Sequence, residues 1–500
     1  MIPAMSPQHE KTYDIAFVGS GIACTMTLIA LSNLLLEAEP RRSPLRVAVI
    51  EKEDEFWKGI AYGVRSSINS LVITSLKEFV YESEKTGFIE WVETNQEKWL
   101  EHFRLNAGEA GSNWIKRNAE LIRDRKWDGM FLPRRLYGLY NSEKLASALS
   151  LLREKELAEV TQVRAEAIDL VPEENGNYAV ILESSDGKQR QLLASRVVLA
   201  IGSPPISSIQ SKELGERCPH TYINDIYTPT VDSNFELLKS SLAAIPDKSK
   251  RNVLILGSNA SSLETLYLIN HDSEIRSLAN AIVVLSRSGL LPYKICDSIP
   301  AFKFHELERF EGSESLTAVQ LITAIKADVQ RAEETGVNIA DLFHPISDVV
   351  VRLFKRLNPS ELEIFFCQHG MTFTKLMRRA GGEYRDAAAE LMDAGLLDMV
   401  KGEFLELGES PTTSGCVAAF YFDPTTKSRT THPLPFSTIV NCGGFEELGA
   451  SSSRILANVI SRRLCEINAT SRGLLVNEKM EANRNLYVMG PLLGGNSRRF

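Results

Sequence analysis

The feature that most constrains the fold is an apolar segment that runs directly into a glycine-rich turn and then into a helical stretch, because this order occurs twice. The first copy begins at Tyr13–Val18 (YDIAFV), passes through the turn GSG at 19–21 and a helical stretch, and reaches Arg46–Ile50 (RVAVI). Glu51 follows at once. Strand, glycine turn, helix, strand and acid predict a βαβ unit that binds a dinucleotide.

Each residue type in this unit has a physical reason. Gly19 permits the tight turn, and Gly21 lets a pyrophosphate approach backbone N–H groups at the helix N-terminus, where the dipole favours an anion. Glu51 would accept hydrogen bonds from a ribose diol. Two departures are that Cys24 occupies the third small position and that Glu51 lies 30 residues after Gly21, where about 20 are expected. An ordinary turn of another α/β sheet, with Glu51 a solvated charge, therefore stays open.

The second copy ends in the opposite charge. The strand Arg251–Leu256 (RNVLIL) runs into the turn GSNA at 257–260, and the next strand, Ala281–Leu285, ends in Ser286 and Arg287. The second and third glycines of the pattern are replaced, yet the turn remains small and polar. An arginine here suits the 2′-phosphate of NADP, which an acid would repel; the alternative is a surface cation at a strand end. Two units with opposite terminal charges predict two different dinucleotides.

The remaining sequence suggests how the two units are assembled. A β-rich segment at about 160–200 is followed by a strand that ends at Gly202, and two late strands lead into Gly444 and Gly490. A late strand that completes the first sheet would bring Gly490 close to the first cofactor. Residues of about 306–409 carry apolar positions at a period of 3.6 and predict a helical insert.

Composition excludes several classes of protein. With 56 Lys and Arg against 64 Asp and Glu, the net charge of −8 disfavours a nucleic-acid binder. No apolar run approaches the roughly 18 residues of a membrane span, and the first eleven residues lack the apolar core of a secretory signal. Seven scattered cysteines without a CxxC pair favour a reducing cytoplasm and argue against a metal framework.

Two further segments carry a resemblance to a known family. They are the segment GIAYG at 59–63 and the element PRRLYGLY at 133–140. Together with the two glycine turns, they resemble the bacterial FAD/NAD(P)-binding flavoprotein family and, more distantly, class B flavin monooxygenases, including the amine N-hydroxylases. The match runs in pieces from about residue 12 to 495. It implies that Lys52, Tyr62 and Arg134 take part in cofactor binding and that Gly444 stands in a motif of the hydroxylases.

Two departures from the monooxygenase pattern are visible. The FxGxxxHxxxW motif is incomplete, since His220 with Tyr222 or Tyr227 matches only its His-and-aromatic portion. In relatives a helix after the Gly490-like position covers the flavin, whereas this sequence stops at Phe500. That cover is therefore expected to be short, supplied elsewhere or outside this sequence.

The resemblance implies an α/β fold with two Rossmann-like domains. We expect an FAD domain at 1–220 and 431–500, with the β-insert, split by an NADP domain at 221–430 that carries the helical insert. The predicted cofactor-contacting residues are Gly19, Ser20, Gly21, Ile22, Glu51, Lys52, Tyr62, Arg134, Gly202, Gly257, Ser258, Asn259, Ala260, Ser262, Ser286, Arg287, Gly444 and Gly490.

The implied activity is that of an NADPH-dependent FAD monooxygenase. Such an enzyme transfers one oxygen atom of O2 from a flavin C4a-hydroperoxide to a small substrate, here an amino acid or amine that is N-hydroxylated. No catalytic side chain and no metal ligand is predicted, and the oligomeric state is left open. One alternative is an NAD(P)H-dependent flavin reductase that acts on a partner or small acceptor; the missing CxxC pair disfavours a reductase of the dithiol type. The other alternative is a non-catalytic dinucleotide-binding sensor.

Overall fold

The computed structural model describes residues 12–39, 42–218, 220–296, 298, 301–313 and 315–496. The chain divides into two compact units, each assembled from separate stretches of sequence. Unit 1 takes its residues from 1–64, 135–205 and 445–500, and unit 2 takes its residues from 65–134 and 206–444.

Helices and strands occur partly in alternation and partly in runs of one kind along the chain. The strands are β1 (Ile15–Val18), β2 (Leu45–Glu51), β3 (Ala158–Arg164), β4 (Glu166–Pro172), β5 (Tyr178–Glu183), β6 (Gln189–Ala194), β7 (Val197–Leu199), β8 (Thr221–Ile223), β9 (Asn252–Leu256), β10 (Ala281–Ser286), β11 (Tyr293–Lys294), β12 (Arg379–Ala380), β13 (Leu397–Lys401), β14 (Glu403–Glu409), β15 (Val417–Asp423), β16 (Ser428–Thr431), β17 (Thr438–Asn441), β18 (Glu481–Asn483) and β19 (Leu486–Val488). The α-helices are α1 (Ile22–Glu37), α2 (Gly59–Tyr62), α3 (Leu76–Phe79), α4 (Glu82–Thr94), α5 (Gln96–Asn106), α6 (Gly108–Arg117), α7 (Ala119–Arg123), α8 (Arg135–Glu154), α9 (Lys212–Arg217), α10 (Val231–Ala243), α11 (Ala260–His271), α12 (Ser273–Leu278), α13 (His305–Glu308), α14 (Ala318–Glu334), α15 (Phe343–Phe354), α16 (Pro359–Ile364), α17 (Gly370–Leu376), α18 (Gly382–Asp393) and α19 (Arg454–Ser461).

Unit 1 is built on a six-stranded sheet with the order β18-β19-β7-β1-β2-β3. All neighbouring strands run parallel except β18 and β19. The central strands are apolar because both of their faces are covered, and Ala16, Val47 and Ala48 are fully inaccessible. The strands β4, β5 and β6 form the small antiparallel insert. The position of β19 beside β7 confirms that a late strand returns to the first sheet.

Unit 2 is built on a parallel sheet with the order β13-β10-β9-β17-β8. Its inner strand β9 is buried along its whole length. The helices α13–α17 form the helical insert, and a core that includes Leu321, Ile325 and Phe365 holds them together. A π-helical turn, Phe365–His369, joins α16 to α17. Two parallel α/β sheets, one with a β-insert and one with a helical insert, confirm the predicted fold class.

The units differ from the expected division in three segments. Residues 65–134 and 206–220 belong to unit 2, and so do residues 431–444, because β17 lies between β9 and β8. Residues 65–134 are held in unit 2 by polar contacts, such as those of the buried Tyr384 hydroxyl with the backbone N–H and C=O of Leu71, each at 2.9 Å. Polar contacts between residues this far apart in sequence leave no periodic pattern from which the boundary could be predicted.

The helical insert that the periodicity predicts for about 306–409 is longer than the helical segment of the structure. The helix α18 stops at Asp393, and Gly395 has a φ of +67°, a conformation that ends helices. The next residues form β13, which pairs with β10 at the edge of the sheet, and then β14. Leu397 and Met399 of β13 pack on one face of the sheet and Val400 on the other. The spacing of these residues also fits one helical turn, so the pattern alone does not distinguish strand from helix.

Candidate dinucleotide-binding sites

The first glycine turn has the geometry that a dinucleotide requires. Gly19 has a φ of +95°, and a Cβ atom there would lie 2.4 Å from the carbonyl oxygen of Ala200, so only glycine fits. Gly21 is the N-cap residue of α1, and no side chain caps the helix at this position. A Cβ at Gly21 would lie 3.6 Å from the Cα of Gly59. The backbone N–H groups at the start of α1 are therefore accessible to an anion.

Glu51 lies beside this turn, at the end of β2. Its Oε2 accepts hydrogen bonds from the backbone N–H of Ser20 at 2.9 Å and from the Ser20 hydroxyl at 2.7 Å. Its Oε1 accepts from the backbone N–H of Glu53 at 3.1 Å. Glu51 therefore lies beside the turn despite the extra residues between it and Gly21. Its carboxylate could accept hydrogen bonds from a ribose diol of a dinucleotide bound there.

The segment GIAYG lies against the first turn, and of its residues only Tyr62 is predicted to contact a cofactor. Gly59, with a φ of +65°, begins α2 so close to the turn that a Cβ on it would lie 3.0 Å from the Cα of Gly21. A Cβ on Gly138 of α8 would lie 2.3 Å from the carbonyl oxygen of Tyr62. The rings of Tyr62 and Tyr137 meet edge to face at 5.4 Å. The two segments that carry the family resemblance therefore contact each other, and Gly59 lies at the first turn, a position that only its motif could have indicated.

The other predicted residues of unit 1 lie at or near the same end of the sheet. Gly490, with a φ of +75°, follows β19, and a Cβ on it would lie 3.4 Å from the Cβ of Ala23 at the start of α1. Gly202, with a φ of +79°, follows β7, and no atom crowds its Cβ position. Lys52 is exposed after β2, and its carbonyl oxygen accepts a hydrogen bond from Arg164 at 2.9 Å.

The second glycine turn repeats the geometry of the first. Gly257 has a φ of +96°, and a Cβ there would lie 2.3 Å from the carbonyl oxygen of Cys442. Asn259 is the N-cap residue of α11, but its side chain makes no capping hydrogen bond. Ser258 and Ser262 are buried beside the turn, and Ala260 begins the helix. Although the second and third glycines of the pattern are replaced, the residues at the start of α11 are small or polar and do not cap the helix.

Arg378 contacts the second turn, and two further cations, Lys375 and Arg287, belong to the same group of charges. Arg287 follows β10, as predicted, while Lys375 and Arg378 come from the end of the helical insert. Arg378 donates from Nη1 to the side-chain oxygen of Asn259 at 2.6 Å. Desolvation and the positive charges of Arg287 and Arg378 lower the pKa of Lys375. Lys375 and Arg378 were not predicted, because they lie about 90 residues from Arg287 in a segment without a motif.

Arg134 and Gly444 both belong to unit 2. The Arg134 guanidinium is held inside unit 2, where it donates to Glu264 Oε1 at 2.7 Å and to the Ser66 hydroxyl at 2.7 Å. Gly444 follows β17 in the sheet of unit 2, and its carbonyl oxygen accepts from the backbone N–H of Ser207 at 3.0 Å. Cofactor contacts of these two residues stay predictions.

His220 is engaged by its own surroundings. Its Nδ1 donates to the carbonyl oxygen of Cys218 at 2.7 Å, and its Nε2 lies 3.0 Å from the side-chain oxygen of Gln210. Burial lowers the pKa of His220. Among the described residues, no group of three or more His, Cys, Asp and Glu could hold a metal ion, and no helix is long and apolar enough to cross a membrane.

Comparison with known proteins agrees with this geometry. Residues 16–204 match a family model described as FAD-NAD(P)-binding. The uncharacterized protein Rv3403c of Mycobacterium tuberculosis is 42% identical over 485 residues, which cover 97% of this chain and 90% of that protein. The uncharacterized protein Mb3437c of Mycobacterium bovis matches with the same values.

Two solved structures share the fold along most of the chain. One is DfoA of Erwinia amylovora, a cadaverine monooxygenase bound to FAD, with a TM-score of 0.53 and 14% identity, covering 97% of this chain and 89% of that one. The other is the ornithine N-hydroxylase KtzI of Kutzneria sp. 744, with a TM-score of 0.50 and 15% identity, covering 97% and 92%. At these identities the similarity concerns the fold.

Proposed function

The chain belongs to the same family as Rv3403c of Mycobacterium tuberculosis, and its residues 16–204 match the FAD-NAD(P)-binding model. We propose that it is an NADPH-dependent FAD monooxygenase that N-hydroxylates a small amine or amino acid. The observation that carries the proposal is the pair of glycine turns with opposite charge. Glu51 lies at the first turn, and the group of cations that contains Arg378 lies at the second. The fold shared with an amine and an amino-acid hydroxylase supports this reaction class.

The residues of the first turn fit FAD. Gly19 and Gly21 leave the start of α1 free of side chains, so that diphosphate oxygens can accept hydrogen bonds from its N–H groups. Glu51 would accept a ribose hydroxyl while it keeps its hydrogen bonds to Ser20. When bound, FAD supplies the electron transfer and the activation of dioxygen.

The second turn fits the diphosphate of a nicotinamide coenzyme for the same geometric reasons. Gly257 makes the turn, and the start of α11 presents its N–H groups without a side-chain cap. The charge at the end of the following strand is positive at Arg287, which favours a coenzyme with an additional phosphate on the ribose.

The positions of the cysteines bear on one alternative function, that of a dithiol reductase. All seven cysteines are free, and five of them are buried, namely Cys24, Cys218, Cys416, Cys442 and Cys465. Burial raises the pKa of each of these five thiols. A reductase that passes electrons to a disulfide normally uses a pair of reactive cysteines beside the flavin, so this arrangement favours oxygen as the acceptor.

We expect only two thiols per chain, those of Cys296 and Cys367, to react rapidly with DTNB in the native protein. All seven should react in denaturant, because unfolding exposes the thiols that the fold buries. Absorbance of the released thiolate, with the modified residues identified by peptide mass spectrometry, measures both numbers. A third fast thiol in the native protein would contradict this burial pattern and revive the dithiol reductase.

The decisive experiment follows electrons from the coenzyme to the product. Purified protein is loaded with FAD, titrated without oxygen with NADPH or NADH, and then mixed with air and cadaverine or ornithine as probes. We expect NADPH to bleach the flavin more efficiently than NADH, and oxygen uptake to yield a hydroxylated amine together with hydrogen peroxide from uncoupled turnover. A colourless protein that cannot be reconstituted with FAD would overturn the proposal, and so would a flavin whose electrons pass only to disulfides.

A further inference from the structure

We propose that Lys375 and Arg378 of the helical insert form, together with Arg287, the binding site for the 2′-phosphate of NADPH. We call Lys375 and Arg378 the insert cations. The inference rests on the proposed function, because it assigns coenzyme choice within the second site. It extends that function because residues of the helical insert, and not only Arg287 after β10, would distinguish NADPH from NADH.

Arg378 spans both edges of the second site. On one side its Nη1 contacts Asn259 Oδ1 at 2.6 Å and lies 3.5 Å from the carbonyl oxygen of Ser258. On the other side its Nη2 contacts the Ser288 hydroxyl at 3.4 Å and the Leu290 carbonyl oxygen at 3.2 Å. One guanidinium thus reaches from the turn that faces the diphosphate to the residues that follow β10. In a dinucleotide-binding unit, the end of this second strand faces the 2′ position of the adenosine ribose.

The three cations lack acidic partners in the part of the chain that the structure describes. No ion pair among the described residues involves Arg287, Lys375 or Arg378, although the protein carries more acidic than basic residues. The Nε atom of Arg378 is buried without a hydrogen-bond partner. Burial and the two neighbouring arginines lower the pKa of Lys375. Mutual repulsion between like charges costs free energy that a bound dianion would offset.

The shape of the groups favours a phosphate over a carboxylate or a second hydroxyl. The Arg287 guanidinium offers a planar set of donors that matches phosphate oxygens, and Lys375 adds a compact charge. Arg378 adds its positive charge, while its Nη groups already donate to Asn259, Ser288 and Leu290. With NADH the same three cations would face an uncharged 2′-hydroxyl and stay uncompensated. The site therefore discriminates by charge, in the region where NADPH differs from NADH.

The test is ligand binding to the FAD-loaded protein without turnover. Isothermal titration calorimetry with 2′,5′-ADP and with 5′-AMP compares ligands that differ by the 2′-phosphate, and inorganic phosphate is the third probe. The variants are Lys375→Ala and Arg378→Ala, with Arg287→Ala for comparison. Lys326→Ala is the matched control, since Lys326 is exposed on α14 of the same insert. If Arg378→Ala does not fold, Arg378→Gln keeps a donor and part of the side-chain volume.

We expect each insert variant to weaken 2′,5′-ADP binding about tenfold, the loss of roughly one charge-assisted hydrogen bond, while 5′-AMP binding stays unchanged. The control should bind all probes like the parent. Equal losses for 2′,5′-ADP and 5′-AMP, or none, would overturn the inference. Inorganic phosphate that binds as tightly as 2′,5′-ADP would also overturn it, because the site would then be an independent phosphate site.

The results also distinguish this inference from the proposed function. If Arg287→Ala weakens 2′,5′-ADP binding and the insert variants do not, the insert cations are excluded while NADPH remains the coenzyme. If the parent protein does not prefer 2′,5′-ADP over 5′-AMP, the proposed use of NADPH is itself wrong. If the 2′-phosphate preference is present but no amine is hydroxylated, the insert cations stand and the monooxygenase assignment does not.

Discussion

Replacing Gly21 by valine should remove FAD from the protein and leave the protein folded. The φ of Gly21 is −68° and its ψ is −175°, a conformation that any residue adopts, and the first Cβ contact is 3.6 Å away at Gly59. The added side chain therefore strains the protein little but occupies the space where diphosphate oxygens must meet the backbone. We expect FAD affinity to fall about 100-fold or more, equivalent to about 3 kcal/mol. The flavin absorbance per chain after reconstitution measures the loss.

Two further variants separate loss of flavin from loss of fold. Gly129→Ala is the control, because no atom lies within 4 Å of its Cβ position and its φ is not positive; it should keep both FAD and stability. Gly19→Ala should instead destabilise the apoprotein, since its φ is +95° and its Cβ would lie 2.4 Å from Ala200. Far-UV circular dichroism checks the fold of each variant. A folded Gly21→Val protein that binds FAD like the parent would show that the first turn does not contact the diphosphate.

Replacing Glu264 by alanine should destabilise unit 2 by about 3–5 kcal/mol, because it leaves a buried charge unpaired. Glu264 is 2% exposed and accepts hydrogen bonds from Arg134, Tyr227 and Ser70. Burial alone would lower the pKa of Arg134, yet the negative charge of Glu264 keeps that pKa above its ordinary value. Because an arginine side chain is not deprotonated in proteins, Arg134 stays charged in the variant and lacks its counterion. Urea denaturation of the apoprotein measures the change in the free energy of unfolding.

The matched control and a compensating variant make this result specific. Glu236→Ala removes a glutamate whose side chain is 74% exposed, and it should change stability by less than about 0.5 kcal/mol. Combining Glu264→Leu with Arg134→Met should recover much of the loss, because well-packed apolar residues often replace a buried ion pair without cost. A loss below about 1 kcal/mol in Glu264→Ala would mean that water reaches Arg134 and that this network does not hold residues 65–134 in unit 2.

The same network shows contacts of Arg134 that the sequence alone does not predict. Arg134 belongs to a motif of the family resemblance, so its sequence position suggests a cofactor contact. In the fold its donors are taken up by Glu264, which lies on α11 behind the second turn, and by Ser66. The partner is 130 residues away in sequence. A motif fixes which residue is present, but tertiary packing determines which atoms it contacts.

The βαβ units were predictable because each is local. An apolar strand, a glycine turn and a helix are neighbours in sequence, and the conformations of Gly19 and Gly257 follow from their places between a strand and a helix. The acid at Glu51 and the cation at Arg287 follow from the same local order. These patterns were enough to predict an α/β fold with two Rossmann-like domains and two different dinucleotides.

What the sequence by itself determined is therefore the repeated turn, its two terminal charges and the fold class. Only the tertiary structure shows that Gly59 lies against Gly21 and that Lys375 and Arg378 are close to Arg287. It also joined residues 65–134 to unit 2. The physical reason is that hydrogen bonds and charges act over a few ångströms in space, whereas sequence patterns report only on residues that the chain itself keeps near one another.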